Sequence, residues 1–140
     1  MQKEFITTNS KQTQKLGELL ARELQGGEVI CLDGELGAGK TTFTQGLLKG
    51  LKVKGPYTSP TFLIMKEYKT LNRNIYHFDA YRVEANDILN LGWEEILSNG
   101  KNIIIIEWAS RIEKIIPKNS LQINFEWVDE NKRKITFKTK

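Results

Sequence analysis

The run Gly34-Glu35-Leu36-Gly37-Ala38-Gly39-Lys40-Thr41 constrains this chain more than any other part of it. It is a complete G-x-x-x-x-G-K-[ST] pattern, which demands a strand before it and a helix after it. Glu28-Val29-Ile30-Cys31-Leu32 supplies a strand-like apolar stretch, and Thr42-Phe43-Thr44-Gln45-Gly46-Leu47-Leu48 continues as a helix with its N-terminal dipole facing the loop. Glycines let such a turn expose successive backbone N–H groups to phosphates. Lys40 can reach the β and γ oxygens, the Thr41 hydroxyl can sit on Mg2+, and Thr42 extends the cradle. A Gly-rich structural turn is the bland alternative; the flanking strand and helix favour a nucleoside triphosphate site.

At 140 residues the chain suits one domain over 1–140, large enough for a core but too small to add a substantial lid or substrate domain. Any second substrate is then small, or is presented by another protein. The longest purely apolar run, Ile103-Ile104-Ile105-Ile106, is far short of a membrane span. Met1-Gln2-Lys3-Glu4-Phe5 lacks the apolar core of a signal peptide, and Cys31 has no partner cysteine, so a cytoplasmic, reducing setting is expected. Cys31 itself reads as a small buried hydrophobe. The net charge of +4 permits contact with nucleic acid or an acidic protein without demanding it. Basic residues crowd only the end of the chain, at Lys132-Arg133-Lys134, Lys138 and Lys140. They read as a solvated turn and a lysine-guarded edge strand in preference to an RNA patch.

Asn9 or Ser10 can cap a helix with Leu16, Leu19, Leu20 and Leu24 at helical spacing, ended by Gly26-Gly27. Beyond the loop helix, residues 50–60 read as irregular. Strands are expected at 63–69 and 75–79 around the turn Leu71-Asn72-Arg73-Asn74, giving a β-hairpin. Residues 87–98 read as helical but broken at Gly92, 102–107 as a buried strand, and 121–128 and 134–138 as strands flanking the turn Asp129-Glu130-Asn131-Lys132. These elements predict an α/β, P-loop NTPase-like three-layer fold whose mixed sheet has a parallel core with antiparallel hairpins added.

Mg2+ prefers oxygen ligands, so a phosphate loop calls for a carboxylate at a neighbouring strand end. Two strands offer one: Ile103-Ile104-Ile105-Ile106-Glu107 and Ile75-Tyr76-His77-Phe78-Asp79. Strand alternation places His77 and Asp79 on one face, opposite Tyr76 and Phe78. An ordinary strand-end carboxylate, a cap and a hydrogen-bonded structural histidine are the alternatives for Glu107, Asp79 and His77. Thr61, in Thr58-Ser59-Pro60-Thr61-Phe62, occupies the place where many NTPases carry a threonine that senses the γ-phosphate; a proline-rigidified strand entry is the alternative.

Together, the Gly34 to Thr42 loop, Ser59-Pro60-Thr61-Phe62, His77-Phe78-Asp79-Ala80-Tyr81-Arg82 and Ile106-Glu107-Trp108 closely resemble the bacterial TsaE (YjeE) family over essentially the whole chain. The resemblance implies a small P-loop ATPase that binds and slowly hydrolyses ATP with Mg2+. Its expected role is in forming threonylcarbamoyladenosine at position 37 of tRNAs that read codons beginning with A. It implies TsaD and TsaB as protein partners, with tRNA met through that complex and hydrolysis resetting it between turnovers. Carried over, Gly34, Glu35, Leu36, Gly37, Ala38, Gly39, Lys40, Thr41 and Thr42 would hold the phosphates. Thr41 and Glu107 would serve Mg2+, Asp79 would orient water or a phosphate-bound ligand, and Thr61 would be the switch. Trp108 and Tyr81 would pack around the nucleotide, and Arg82 would neutralise developing charge or make a simple salt bridge. Adenine contacts from the N-terminal segment and last hairpin would implicate residues 8–10, Asn9 among them, and Lys134. Ala80 stands where the family often carries leucine, a departure that touches packing and not chemistry.

Two other classes remain open on sequence. A small-molecule kinase would need a closing lid to exclude water, and no insertion of lid length is present. A non-catalytic nucleotide-dependent binding module would show only incidental hydrolysis. A GTPase is disfavoured, because Asn131-Lys132-Arg133-Lys134 lacks the aspartate that would read guanine.

Overall fold

A run of four isoleucines has no polar face, so a strand made from it must be covered on both sides. The computed structural model, which describes residues 2–57 and 64–139, places this run at the centre of a sheet. In chain order the elements are β1 (Gln2–Thr7), α1 (Ser10–Ala21), β2 (Val29–Gly34), α2 (Lys40–Gly50), β3 (Met65–Lys69), β4 (Asn74–Asp79), α3 (Ala85–Leu89), α4 (Trp93–Ser98), β5 (Ile103–Glu107), a 3-10 segment (Ala109–Ile115), β6 (Leu121–Trp127) and β7 (Arg133–Lys138). The strands form one sheet in the order β1-β7-β6-β2-β5-β4-β3. Neighbours β6, β2, β5 and β4 run parallel, while β1–β7, β7–β6 and β4–β3 are antiparallel. The expected α/β architecture, with a parallel core and antiparallel hairpins, is the one observed.

Side-chain alternation divides the core into two layers. Ile30, Leu32, Ile103, Ile105, Ile123 and Phe125 face α1 and α2, meeting Leu20, Phe43 and Leu47. Val29, Cys31, Phe78, Ile104 and Ile106 face the other way, onto Ile88 of α3, Trp93 and Ile96 of α4, and Ile112 of the 3-10 segment. The second helical layer covers β2, β5 and β4. On β6, buried Ile123 and Phe125 alternate with exposed Asn124 and Glu126, as expected where an antiparallel sheet keeps one face wet. Among the described residues, no helix is long and apolar enough to cross a membrane. Burial pushes the Cys31 thiol up to about 12, which keeps it protonated and inert.

Several boundaries differ from those expected. Asn9 is the N-cap of α1, its side-chain oxygen accepting from Gln12 N at 2.8 Å, but the helix ends at Ala21 and not at Gly26. Glu23 N and Leu24 N reach back only three residues, to the carbonyls of Leu20 and Ala21, so the last turn tightens before the chain leaves. Leu24 still packs against the core, which is why its spacing read as helical. The break at Gly92 is real, with φ of 88° separating α3 from α4. The last strand is not an edge. β7 lies between β6 and β1, and the edge is β1, whose mostly exposed residues give no clear alternation. Its Phe5 packs edge-on against Phe137, ring centroids 5.3 Å apart. Ser59, Pro60, Thr61, Phe62 and Leu63, including the expected switch threonine and the start of the expected strand, lie outside the described residues.

The helix that starts at the phosphate loop is held against α1 by glycine. A Cβ added at Gly46 would sit 1.9 Å from the Gln14 carbonyl oxygen, a backbone atom with nowhere to go. Gly46→Ala is therefore expected to push the two helices apart, costing about 3 kcal/mol and lowering Tm by roughly 10 °C. An unchanged thermal midpoint would contradict the close helix contact.

Candidate phosphate-binding site

Because β2, β5 and β4 are parallel neighbours, their carboxyl ends emerge together, and their register puts Leu32, Glu107 and Asp79 in one row across the sheet. Crevices outside such ends are where open α/β sheets bind ligands. Two residues beyond Leu32 the chain enters the loop. The turn into α2 passes through Gly39 at φ 106°, the N-cap position of the helix, a backbone state that L side chains rarely adopt. The first turn of α2 carries amides without intrahelical partners, and these point at the crevice with the positive end of the dipole.

Lys40 opens that helix and is almost wholly buried, 5% exposed. Its ammonium donates to the carbonyls of Gly34 and Glu35, the latter at 3.2 Å, and stands 3.9 Å from the centre of the Trp108 ring. Burial lowers its pKa from the ordinary ammonium value, while the carboxylates of Glu107, Asp33 and Asp79 oppose that shift. The cation is thus short of water and surrounded by negative charge, a setting in which phosphate oxygens are strong partners. Trp108 reaches it from an unusual backbone: φ is 60° directly after Glu107, a strained state for a bulky residue. Its N–H donates to the Leu32 carbonyl at 2.8 Å, and its ring meets Tyr81 at 4.9 Å.

Of the two strand-end acids, Glu107 is buried and shares a 2.8 Å hydrogen bond between its Oε2 and His77 Nε2. His77 is therefore the hydrogen-bonded group of the expected pair of readings. Asp79 Oδ1 accepts from Tyr81 N at 2.9 Å. Among the described residues no three His, Cys, Asp or Glu side chains gather into a site that could hold a metal ion unaided. That donor set fits Mg2+ shared with phosphate oxygens and water: Thr41 and Glu107 line the same cavity and offer a hydroxyl and one carboxylate.

The cavity measures about 680 Å³, within the range for nucleotide-sized ligands. Loop residues Glu35, Leu36, Gly37, Gly39, Lys40, Thr41 and Thr42 form one wall, and Asp79, Glu107 and Trp108 another. Gly34 and Ala38 lie beneath this lining, with Ala38 buried in the core. Asn9 and Ser10, at the start of α1, close one side, so the N-terminal segment does meet the cavity. Lys134 does not. It sits between Glu4 at 3.7 Å and Glu126 at 3.8 Å, on the face of β7 turned away, because alternation sends neighbouring residues to opposite sides. Arg133 takes the place at the wall, donating from Nε to the Gly37 carbonyl at 3.1 Å and from a terminal nitrogen to Asp129 O at 2.7 Å. Which of the two faces the cavity is set by the register of the last hairpin. Arg82 lines the rim, makes no ion pair among the described residues, and lies 5.7 Å from the Tyr81 ring. Ala80 is fully buried among apolar groups of the second layer.

A family model described as threonylcarbamoyl adenosine biosynthesis protein TsaE matches residues 7–135. The tRNA threonylcarbamoyladenosine biosynthesis protein TsaE of Rickettsia felis is 42% identical over 131 residues, covering 92% of this chain and 75% of that protein. Its counterpart of the same name in Bacillus subtilis is 39% identical over 136 residues, covering 97% and 85%, and that of Aquifex aeolicus 42% over 135 residues, covering 95% and 93%. The crystal structure of Bacillus subtilis YdiB superposes with a TM-score of 0.82 at 33% identity, covering 99% of this chain and 86% of that one. Matched by the family model over most of its length and by relatives near 40% identity over nearly all of it, the chain belongs to the TsaE family.

Proposed function

We propose that this chain is an ATPase that works in the cytoplasm as a single 1–140 domain, serving formation of threonylcarbamoyladenosine at position 37 of tRNAs that read codons beginning with A. The observation that carries the reading is the buried ammonium of Lys40 at the mouth of the loop, within the field of Glu107, Asp33 and Asp79. A buried cation held only by exchangeable backbone carbonyls serves a polyanion that brings its own divalent metal.

The loop amides and Lys40 bind the β- and γ-phosphates, exchanging the carbonyls of Gly34 and Glu35 for phosphate oxygens. Thr41 and Glu107 would hold Mg2+, which would supply positive charge to offset that of the phosphates. Thr41 and Glu107 lie on the metal side. Asp79 has Oδ1 committed to the Tyr81 amide, and its second oxygen, without a partner among the described residues, would accept from the attacking water. Water adds to the γ-phosphorus, the bond to the β-γ bridging oxygen breaks, and ADP and phosphate leave. Asn9 and the last hairpin frame the nucleoside end. Thr61 remains the proposed γ-phosphate switch, and Lys134 gives way to Arg133 at the hairpin wall.

Slow turnover in isolation follows from the arginines. Arg133 is held by backbone carbonyls of the loop and hairpin, and Arg82 stands on the Tyr81 ring, so neither is preset to neutralise transition-state charge. TsaD and TsaB are the proposed partners, and tRNA is met through them.

Three outcomes are expected. ATP hydrolysis by the purified chain should be slow and should rise when a TsaB–TsaD pair is added; fast turnover alone, or turnover that follows an added metabolite without release of free phosphate, would overturn the reading. Lys40→Ala should cut that activity by about 100-fold or more, and normal ATP affinity and turnover in this variant would remove the central assignment. Glu107→Gln should raise the Mg2+ concentration needed for half-maximal turnover by roughly 10-fold, whereas an unchanged requirement would take Glu107 off the metal side.

A further inference from the structure

We propose that His77 is a positioning residue that fixes Glu107 in one orientation, leaving Oε1 as the oxygen of Glu107 offered to a divalent cation or its water. The proposal rests on the reading of Glu107 as the carboxylate on the metal side. Its basis is the geometry of the pair. His77 Nε2 and Glu107 Oε2 are 2.8 Å apart, with side chains only 3% and 6% exposed. Both belong to strand positions held by the parallel β4–β5 ladder, in which His77 lies beside Ile105 and Asp79 beside Glu107. Neither side chain can swing out without leaving the core.

The second ring nitrogen decides the proton arrangement. His77 Nδ1 is buried and has no hydrogen-bond partner among the described residues. If the ring carried a proton there, a buried N–H would be left without an acceptor, which native structures avoid. With the proton on Nε2, the ring donates a charge-assisted bond to the ionised carboxylate and leaves only a lone pair unmatched at Nδ1. Nε2–H is then the donor of the pair. Glu107 Oε2 is committed to that donor, and among the described residues Oε1 has no partner. A carboxylate held by one oxygen presents the other at a fixed angle, as supporting hydrogen bonds do around metal ligands. The arrangement also explains why a histidine stands in an otherwise apolar stretch of β4 without itself lining the cavity.

Two substitutions separate this role from bulk packing. The side-chain amide of His77→Gln can present an N–H near the place of Nε2, whereas His77→Leu fills space without a donor. Calorimetric titration with ADP, in the presence and absence of Mg2+, reads metal use without turnover. The expected result is that His77→Leu loses most of the Mg2+-dependent gain in ADP affinity, by about 10-fold, binds metal-free ADP as the unaltered chain does, and is largely rescued by His77→Gln. Nitrogen NMR of the unaltered chain, labelled at histidine, should show Nε2 protonated and Nδ1 bare. A full Mg2+ effect in His77→Leu, while Glu107→Gln loses it, would overturn the proposal and leave the metal reading intact. Equal losses for Leu and Gln with and without metal would also overturn it, since that pattern marks packing alone. A proton on Nδ1 would overturn it even if His77→Leu failed to fold. Loss of the Mg2+ effect in neither His77→Leu nor Glu107→Gln, with the NMR as expected, would instead remove the metal reading on which the proposal stands.

Discussion

The parallel pairing of β2, β5 and β4 is the constraint on which the site depends. Parallel strands bring their carboxyl ends to one edge of the sheet, and the register Leu32, Glu107, Asp79 then sets how far each chain runs before it turns. Shifting β5 by one residue would send Glu107 to the opposite face, toward Phe78 and the apolar groups of α3, α4 and the 3-10 segment. The isoleucines fill both faces alike, Ile103 and Ile105 toward α1 and α2 and Ile104 and Ile106 toward α3, α4 and the 3-10 segment, so what opposes the slip is Glu107 itself, which would enter an apolar layer without its hydrogen bond to His77. The cost of burying an unpaired carboxylate therefore fixes where Glu107 stands.

Around that row, charge is arranged in opposition. Lys40 is desolvated, which weakens its hold on a proton, and three carboxylates restore part of it. A triphosphate alone would meet repulsion from Glu107, Asp79 and Asp33, and a divalent cation would relieve it. Loop and acids are thus complementary to a metal–nucleotide pair more than to either member. Trp108 adds a hydrophobic roof over the ammonium at 3.9 Å, and its strained backbone is the local cost of turning the chain directly after Glu107.

Much of this was legible in the sequence, for a physical reason. The phosphate loop is contiguous, and its strand–turn–helix setting is written in neighbouring residues. Apolar strands ending in Glu107 and Asp79 were equally readable, since alternation alone places Asp79 and His77 on one face. What the sequence did not give were non-local facts. The bond between His77 and Glu107 spans 30 residues and depends on strand order. The choice of Arg133 over Lys134 at the cavity wall depends on the register of the last hairpin. β1 went unseen because an exposed edge strand has little apolar pattern of its own, and its pairing with β7 turned an expected edge into an interior strand.

A crystal structure of the chain with Mg2+ and a non-hydrolysable ATP analogue tests the central claim most directly. The account predicts the β- and γ-phosphates against the amides that lead into α2, with Lys40 Nζ moved from the Gly34 and Glu35 carbonyls onto phosphate oxygens. The metal should lie between Thr41 and Oε1 of Glu107, directly or through one water. Phosphates bound away from the loop, or a metal held without Glu107 while His77 keeps its bond, would contradict it.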